Sequence, residues 1–157
     1  LAIIYSSKTS KIPIIIFSDI ISIVSPIGLF FGRIANFING ELFGRVTNHH
    51  FGIIFPNGGE LPRHPSQLYE AFFEGLVLFC IMIFLMNKSK FFEKKGFLTA
   101  SFLFFYGSFR FFIEYFREPD GHIGLIYLNL SMGQILSLPM IISGLYFIII
   151  FNKKKIK

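Results

Sequence analysis

Four predominantly apolar stretches run through the chain, and the segments between them hold most of the charged residues. The stretches cover residues 12–31, 68–86, 97–116 and 132–151. About 20 apolar residues in a helix cross the ~30 Å hydrocarbon core of a bilayer, and a helix satisfies its own backbone polar groups there. The pattern therefore predicts an all-α, polytopic transmembrane helical bundle with about four spans in this chain.

Short polar motifs mark where two of these helices begin. Pro65 in HPSQ suits a helix start, because the amide that proline lacks is not needed there. The sequence SMGQ, Ser131 to Gln134, matches a capping box that opens the last helix. Residues 32–67 are too broken by Gly and Pro for one helix and too long for a plain connection. We expect a small irregular outer domain in that segment.

Lysines and arginines occupy different parts of the chain, which predicts its orientation. The ten lysines lie near the start, in residues 88–95 or at 153–157, whereas the five arginines are residues 33, 45, 63, 110 and 117. Lysine-rich short loops face the cytoplasm, and four crossings place all three lysine groups on that side. We therefore expect residues 1–157 to form a single transmembrane domain, with segments 32–67 and 117–131 on the outer side.

Composition supports a membrane protein and argues against a nucleic-acid partner. Hydrophobic residues make up 53% of the chain, and charged residues make up 15%. The net charge is +6, but the basic residues are divided by long apolar segments. They do not form the continuous basic stripe that a nucleic acid requires.

The cysteine and the histidines indicate no metal site and no cofactor. Cys80 is the single cysteine, so no internal disulfide can form, and its apolar surroundings predict a small buried side chain. The adjacent His49 and His50 do not follow helical metal-ligand spacing, and the HExxH motif is absent from the sequence. The other histidines are His64 and His122. We expect His64 to be the best local candidate for proton transfer, with plain hydrogen bonding as the simpler interpretation.

Two arginines fall near the outer ends of different predicted spans. Arg33 lies in the polar stretch GRIANFINGELFGR, and Arg110 lies four residues before Glu114, a spacing at which helical side chains pair. A charge at a helix centre costs about 2.5–3.5 kcal/mol on insertion scales unless it has a partner or reaches the interface. Two interpretations stay open. Arg110 and Glu114 neutralise each other while the Arg33 side chain extends to the membrane interface, or both arginines converge on an anionic ligand such as a lipid phosphate.

Three acidic residues inside the apolar stretches are harder to interpret. Asp19 precedes Arg33 by about fourteen residues, too far along one helix for the two to pair, so a partner outside this chain is expected. Glu70 and Glu74 share a helical face. We expect them to be solvated or stabilised by the helix dipole rather than to form an acid–base pair.

Four polar motifs occur along the chain in the order GRIANFINGELFG, LPRHPSQLYE, FRFFIEYFREPD and SMGQILS. The first resembles the signature of the prolipoprotein diacylglyceryl transferase family, bacterial membrane enzymes of lipoprotein maturation, and the others resemble further blocks of that family in the same order. The resemblance implies transfer of the diacylglyceryl group from phosphatidylglycerol to the lipobox cysteine of a preprolipoprotein signal peptide. It also implies a multi-pass protein of the bacterial inner membrane, in contact with membrane lipid, with its active site towards the outer leaflet.

The resemblance further implies which residues form the site. Arg33 is expected to contact the phospholipid, Arg110 to be the second cation and Glu114 to orient Arg110. Fixed cations beside a phosphate that gains charge as its carbon–oxygen bond breaks would stabilise the transition state more than the ground state. The other residues expected to bind substrate are Asn36, Asn39, Glu41, Gly44, His64, Gln67 and Arg117.

One departure from the family pattern affects what the chain is expected to do alone. Family members resemble seven-helix proteins, and an upstream His-Gly-Gly block is thought to serve their chemistry. This chain starts at Leu1, after the place of that block, so we expect it to hold the last four spans and to be inactive alone. An anion-binding transporter or channel subunit and a noncatalytic scaffold stay open as alternatives. Charges near the outer interface, rather than at the midplane, favour a lipid headgroup over a transported anion.

Overall fold

The fold, taken from a computed structural model, is described here for residues 2–88, 94–119, 125–127 and 130–153. Its helices are α1 (Ala2–Ser10), α2 (Ile14–Ile38), α3 (Ser66–Glu70), a π-helical segment (Ala71–Val77), α4 (Leu78–Lys88), α5 (Phe97–Ile113) and α6 (Met132–Lys153). Two short antiparallel strands, β1 (Leu125–Tyr127) and β2 (Leu130–Ser131), precede α6. The predicted all-α class is confirmed. His122 and the lysines of the 154–157 tail lie outside the described residues.

Three helices of the described part are long and apolar enough to cross a membrane. They are Ile14–Ile38, Ser66–Lys88 (α3 through α4) and Met132–Phe151. The fourth predicted span, α5, has 17 residues and ends at Ile113 instead of residue 116. At 1.5 Å per residue it rises about 26 Å, less than the ~30 Å of a typical hydrocarbon core. The structure thus supports an integral membrane protein, and the fourth span stays a prediction.

Helix α2 is longer than predicted and carries the beginning of the polar signature. The prediction ended this helix at residue 31, but it continues to Ile38. It stops where Gly40 adopts a φ of 65°, the left-handed conformation that glycine supplies at helix ends. Arg33 and Asn36 therefore stand on a helix, and the irregular segment is shorter than the predicted 32–67.

The irregular chain between α2 and α3 docks onto the residues that follow α5. The Gly44 amide donates to the His64 carbonyl at 2.8 Å, and the Arg45 amide donates to the Phe116 carbonyl at 2.9 Å. A Cβ on Gly44 would lie 2.6 Å from the first oxygen and 2.5 Å from the second. Only glycine permits this approach. The isolated bridges of the segment pair Gly44 with Arg117 and Arg63 with both Val46 and Ile53.

Small residues bring α5 and α6 into close contact. A Cβ on Gly144 would lie 2.6 Å from the backbone nitrogen of Phe104, and one on Gly107 would lie 3.2 Å from the Ser137 carbonyl oxygen. Small residues let membrane helices approach closely and gain van der Waals contact. The buried apolar cluster nearby consists of Leu78, Met82, Phe97 and Leu98.

Cys80 does not belong to that buried cluster. It is exposed on α4, so the predicted buried side chain is wrong. An apolar sequence is typical of a protein core, but a membrane helix also presents apolar residues on its outward face.

Asp19 of α2 caps the beginning of α5. Its carboxylate accepts hydrogen bonds from the amides of Gly96 (2.6 Å) and Thr99 (2.8 Å) and from the Thr99 hydroxyl (2.7 Å). The first amides of a helix have no partner within it, and a carboxylate also complements the positive end of the helix dipole. The expectation of a partner outside this chain is wrong, because α5 begins beside the first turns of α2.

We predict that Asp19→Ala lowers the free energy of unfolding by about 2 kcal/mol, because buried helix amides lose a charged acceptor. Asp19→Asn should lose less, since its amide oxygen still accepts one hydrogen bond. Ser18→Ala is the matched control, because the exposed Ser18 hydroxyl bonds only to the Ile14 carbonyl of its own helix. Denaturant unfolding in detergent micelles measures the difference, and equal stability of Asp19→Ala and Ser18→Ala would contradict the prediction.

Candidate functional site

Six charged side chains from α2, the Ser66–Lys88 helix and α5 with its following turn meet at one end of the bundle. The glutamates are at most 5% exposed, and the arginine side chains are 12–17% exposed. With all six ionised, their positive and negative charges are equal in number. We refer to them as the charged cluster: Arg33, Glu70, Glu74, Arg110, Glu114 and Arg117.

Glu70 joins two arginines that come from different helices. Its Oε2 lies 3.1 Å from Arg33 Nε, and its Oε1 accepts a short hydrogen bond from Arg110 Nη1. Arg33 and Arg110 thus meet through a fully buried carboxylate. Removing one partner from a buried ion pair typically costs 3–5 kcal/mol, so this contact fixes the relative positions of three helices.

Glu74 is buried in the same place but is held at longer distances. Its Oε2 lies 3.4 Å from Arg33 Nη2, and its Oε1 lies 3.7 Å from Arg110 Nη1. Within the described residues, Oε1 is buried and accepts no hydrogen bond. The expectation that Glu70 and Glu74 are solvated is wrong, because both are fully buried where α2 and α5 bring arginines over that face.

A π-helical segment, Ala71–Val77, carries Glu74 and brings α2 close to both carboxylates. Its hydrogen bonds run from residue i to i+5, an arrangement that is rare and frequently found at functional sites. A Cβ on Gly75 would lie 2.7 Å from the Cβ of Phe30 on α2, so glycine permits this helix contact. Arg33 follows Phe30 by three residues and therefore reaches the carboxylates from the same side of α2.

Glu114 anchors the other side of Arg110. Its Oε2 lies 2.9 Å from Arg110 Nη2 and 3.8 Å from Arg117 Nη1, and its Oε1 accepts a hydrogen bond from the Ser131 hydroxyl at 3.0 Å. The predicted pairing of Arg110 with Glu114 is present. A Cβ on Gly133 would lie 2.7 Å from Glu114 Cδ, so the first turn of α6 packs directly against this carboxylate.

The predicted capping box at the start of α6 is confirmed. The Ser131 amide donates to Gln134 Oε1 at 3.1 Å, and the Gln134 amide donates to Ser131 Oγ at 3.3 Å. Ser131 Oγ is an acceptor in this cap, so its hydroxyl hydrogen is still able to donate to Glu114.

Other residues predicted for the site form a separate polar group after α2. Asn39 Nδ2 donates to Glu41 Oε1 at 3.3 Å, and the buried Gln67 Nε2 donates to the Glu41 carbonyl at 2.7 Å. The Asn36 carbonyl accepts from the Glu41 amide at 3.1 Å. These bonds hold the turn that follows α2 against the start of α3, next to the helix end that carries Arg33.

His64 lines a largely aromatic cavity beside the Gly44 contact. The His64 Nδ1 atom lies 3.3 Å from the Tyr69 hydroxyl. Partial burial lowers the pKa of His64, and the nearby His49 lowers it further, which favours the neutral imidazole at pH 7. The cavity measures about 530 Å³ and is lined by His49, Phe51, His64, Pro65, Tyr69, Phe73, Ile113 and Phe116.

A second cavity opens beside Arg110. It measures about 320 Å³, with Arg110, Glu114 and Arg117 among its lining residues and Met132, Leu136 and Met140 along α6. Cations on one side and apolar side chains on the other suit a molecule with an anionic group and a hydrocarbon part. Arg33 is outside the lining of this cavity and reaches Arg110 through Glu70. The described residues include no group of three or more His, Cys, Asp or Glu side chains that could hold a metal ion.

The sequence analysis missed Glu70 and Glu74 as members of the charged cluster. The available signal was one of charge balance. Three arginines lie in or beside apolar segments, and buried charges require partners. Two glutamates one helical turn apart inside another apolar segment were the obvious source of compensating charge.

The fold and the charged cluster define an integral membrane protein with a buried arginine–glutamate site beside a cavity that has a charged side and an apolar side. The family model described as prolipoprotein diacylglyceryl transferase matches residues 1–150. The chain belongs to the prolipoprotein diacylglyceryl transferase family, as its motifs predicted.

Similar proteins from Rickettsia are each named phosphatidylglycerol–prolipoprotein diacylglyceryl transferase. The Rickettsia akari protein is 60% identical over 144 residues, which are 92% of this chain and 56% of the relative. The Rickettsia bellii protein is 58% identical over 142 residues, 90% of this chain and 54% of the relative. The Rickettsia canadensis protein is 62% identical over 134 residues, 85% of this chain and 52% of the relative. The chain thus spans about half the length of the curated relatives it matches.

We predict that Gly44→Ala loosens the segment between α2 and α3, because the added methyl group would meet two backbone carbonyls. Gly32→Ala is the matched control within the same motif, since a Cβ on Gly32 has no neighbour within 4 Å. Hydrogen exchange read by mass spectrometry should rise about tenfold in residues 39–65 of Gly44→Ala, as expected for a local loss of about 1.4 kcal/mol. Unchanged exchange in Gly44→Ala would refute the assigned role of this glycine.

Proposed function

We propose that this chain takes part in transferring the diacylglyceryl group of phosphatidylglycerol to the lipobox cysteine thiol of a preprolipoprotein, the first step of bacterial lipoprotein maturation. Its family and the names of its Rickettsia relatives support this reaction. The observation that carries the proposal is the meeting of Arg33 and Arg110 at the buried Glu70. The protein would lie in the bacterial inner membrane, with the charged cluster towards the outer leaflet.

The cavity beside Arg110 provides a place for the lipid. Its phosphate would bind Arg110 and Arg117, because a guanidinium group can donate to two phosphate oxygens at once. The hydrocarbon part would follow the apolar wall that Met132, Leu136 and Met140 contribute from α6. The cavity therefore matches the two chemically different halves of a phospholipid.

The proposed reaction needs a stable anionic leaving group. The substrate sulfur forms a bond to the glyceryl carbon, the bond from that carbon to the phosphate oxygen breaks, and its electron pair stays with the phosphate. The thiol proton is released, and glycerol phosphate leaves. Arg110 would stabilise the negative charge that grows on the phosphate, an effect that lowers the barrier because the cation is already in position.

The remaining predicted residues would act around this centre. Arg33, which does not line the cavity, would contact the part of the phospholipid headgroup that extends beyond it and would hold Glu70. Glu114 would orient Arg110. Arg33, Arg110 and Glu114 are the residues that we propose for catalysis. The turn after α2 and the His64 cavity would help to bind lipid and signal peptide through Asn36, Asn39, Glu41, Gly44, His64 and Gln67.

A transfer assay tests the proposal. The chain is assayed alone and joined to the part of the Rickettsia akari relative that lies outside the matched region, with labelled phosphatidylglycerol and a lipobox peptide. We expect labelled thioether product from the joined protein and none from the chain alone. A folded joined protein that leaves the peptide thiol unmodified would contradict the proposal, and anion flux through its vesicles would instead support a transporter.

In the joined protein, we predict that Arg110→Lys lowers kcat/KM by about 100-fold, because the ammonium group of lysine cannot replace the bidentate contact of a guanidinium group with a phosphate. Arg45→Lys is the control, since the exposed Arg45 side chain donates only to the Arg117 carbonyl, which lysine can also reach. Full activity of Arg110→Lys would mean that Arg110 acts as a point charge.

A further inference from the structure

With all six side chains ionised, the charged cluster is electrically balanced before an anion binds. Its three arginines and three glutamates are linked by six ion-pair contacts. A phosphodiester that entered beside Arg110 would add one negative charge to a site whose carboxylates are almost fully buried. An uncompensated charge in such surroundings is costly, so a compensating proton or cation is required.

The three carboxylates differ in their distances from the guanidinium groups. Glu70 lies within 3.1 Å of Arg33 Nε and also accepts a short hydrogen bond from Arg110. Glu114 has Arg110 Nη2 at 2.9 Å and the Ser131 hydroxyl at 3.0 Å. For Glu74 the nearest guanidinium nitrogens lie at 3.4 and 3.7 Å. As in Glu70 and Glu114, one of its two oxygens accepts a hydrogen bond from the described residues and the other does not, so the longer distances are what distinguish Glu74.

Charged and titratable groups face Glu74 from α2, from α5 and from its own helix. Arg33 faces it from α2, Arg110 and Tyr106 face it from α5, and Glu70 lies one turn earlier on its own helix. The negative Glu70 opposes ionisation of Glu74. A phosphate that binds Arg110 would compete with the longest of the contacts that stabilise the Glu74 carboxylate.

We propose that Glu74 takes up one proton when an anionic phospholipid headgroup binds beside Arg110, so that lipid binding and protonation of Glu74 are coupled. Protonation restores the balance of charge without breaking the shorter contacts of Glu70 and Glu114. The proposal takes its ligand from the proposed lipid-transfer function.

Calorimetric titration of the full chain in detergent measures this coupling, with dihexanoyl phosphatidylglycerol as the probe. Repeating the titration in buffers of different ionisation enthalpy gives the number of protons exchanged. We expect uptake of about one proton per lipid. Because binding then consumes a proton, the affinity for the lipid should fall about tenfold for each unit by which the pH rises, in the range where that proton is taken up. Dihexanoyl phosphatidylcholine, which has no net charge, should exchange none.

Variants assign the proton to Glu74. Glu74→Gln should bind the probe with no proton uptake and a flat pH dependence, while Glu60→Gln, which changes an exposed loop carboxylate, should behave as the unchanged chain. If Glu74→Gln fails to fold, infrared difference spectra supply the assignment. Lipid binding should then generate a protonated-carboxyl band in the unchanged chain, and Glu74→Asp should shift its frequency.

Failure of this inference differs from failure of the proposed function. Probe binding without proton uptake, uptake that persists in Glu74→Gln, or a carboxyl band that Glu74→Asp leaves in place would overturn the role of Glu74, whatever the transfer assay gives. Proton-coupled binding in a joined protein that transfers no lipid would overturn the function and leave the coupling intact. A folded chain that does not bind the probe would overturn the inference, and a folded joined protein that does not bind it would overturn both.

Discussion

Glu70 lies between Arg33 and Arg110, and the arrangement of α2, α3 and α5 depends on this carboxylate. A buried charge that loses its partner is destabilised by several kcal/mol, so none of the three side chains can withdraw without affecting the other two. The π-helical segment that follows Glu70, with the close contact of Gly75 and Phe30, brings α2 near enough for Arg33 to take part. The position of Arg110 beside the cavity is therefore set by contacts on the far side of its guanidinium group.

Polar contacts hold α2 and α5 together at both of their ends. Asp19 caps α5 at one end, and the charged cluster joins the two helices through Glu70 at the other. Between helices in lipid the hydrophobic effect contributes little, so close packing and polar contacts have to provide the association. In this protein the polar contacts that stabilise the bundle are also those that orient the proposed site.

Local features of the fold were predictable from the sequence, whereas contacts between distant segments were not. The Arg110–Glu114 pair and the Ser131–Gln134 cap depend on spacings of four and three residues, which a helix brings together by itself. The partners of Glu74 and Asp19 lie on other helices, so their environments follow from packing that the apolar pattern does not specify. Family motifs indicated Arg33, but they did not reveal that its immediate partners are glutamates.

The central claim is that Arg33 and Arg110 act as one unit through Glu70, and a double-mutant cycle on Arg33→Gln and Arg110→Gln tests it most directly. Unfolding free energies are measured for both single variants and the double variant, with Arg33→Gln and Arg45→Gln as the control pair. The account predicts an interaction energy of about 0.5–3 kcal/mol for the first pair, because both side chains share one buried partner, and additivity for the control. Additive effects of Arg33→Gln and Arg110→Gln would contradict it.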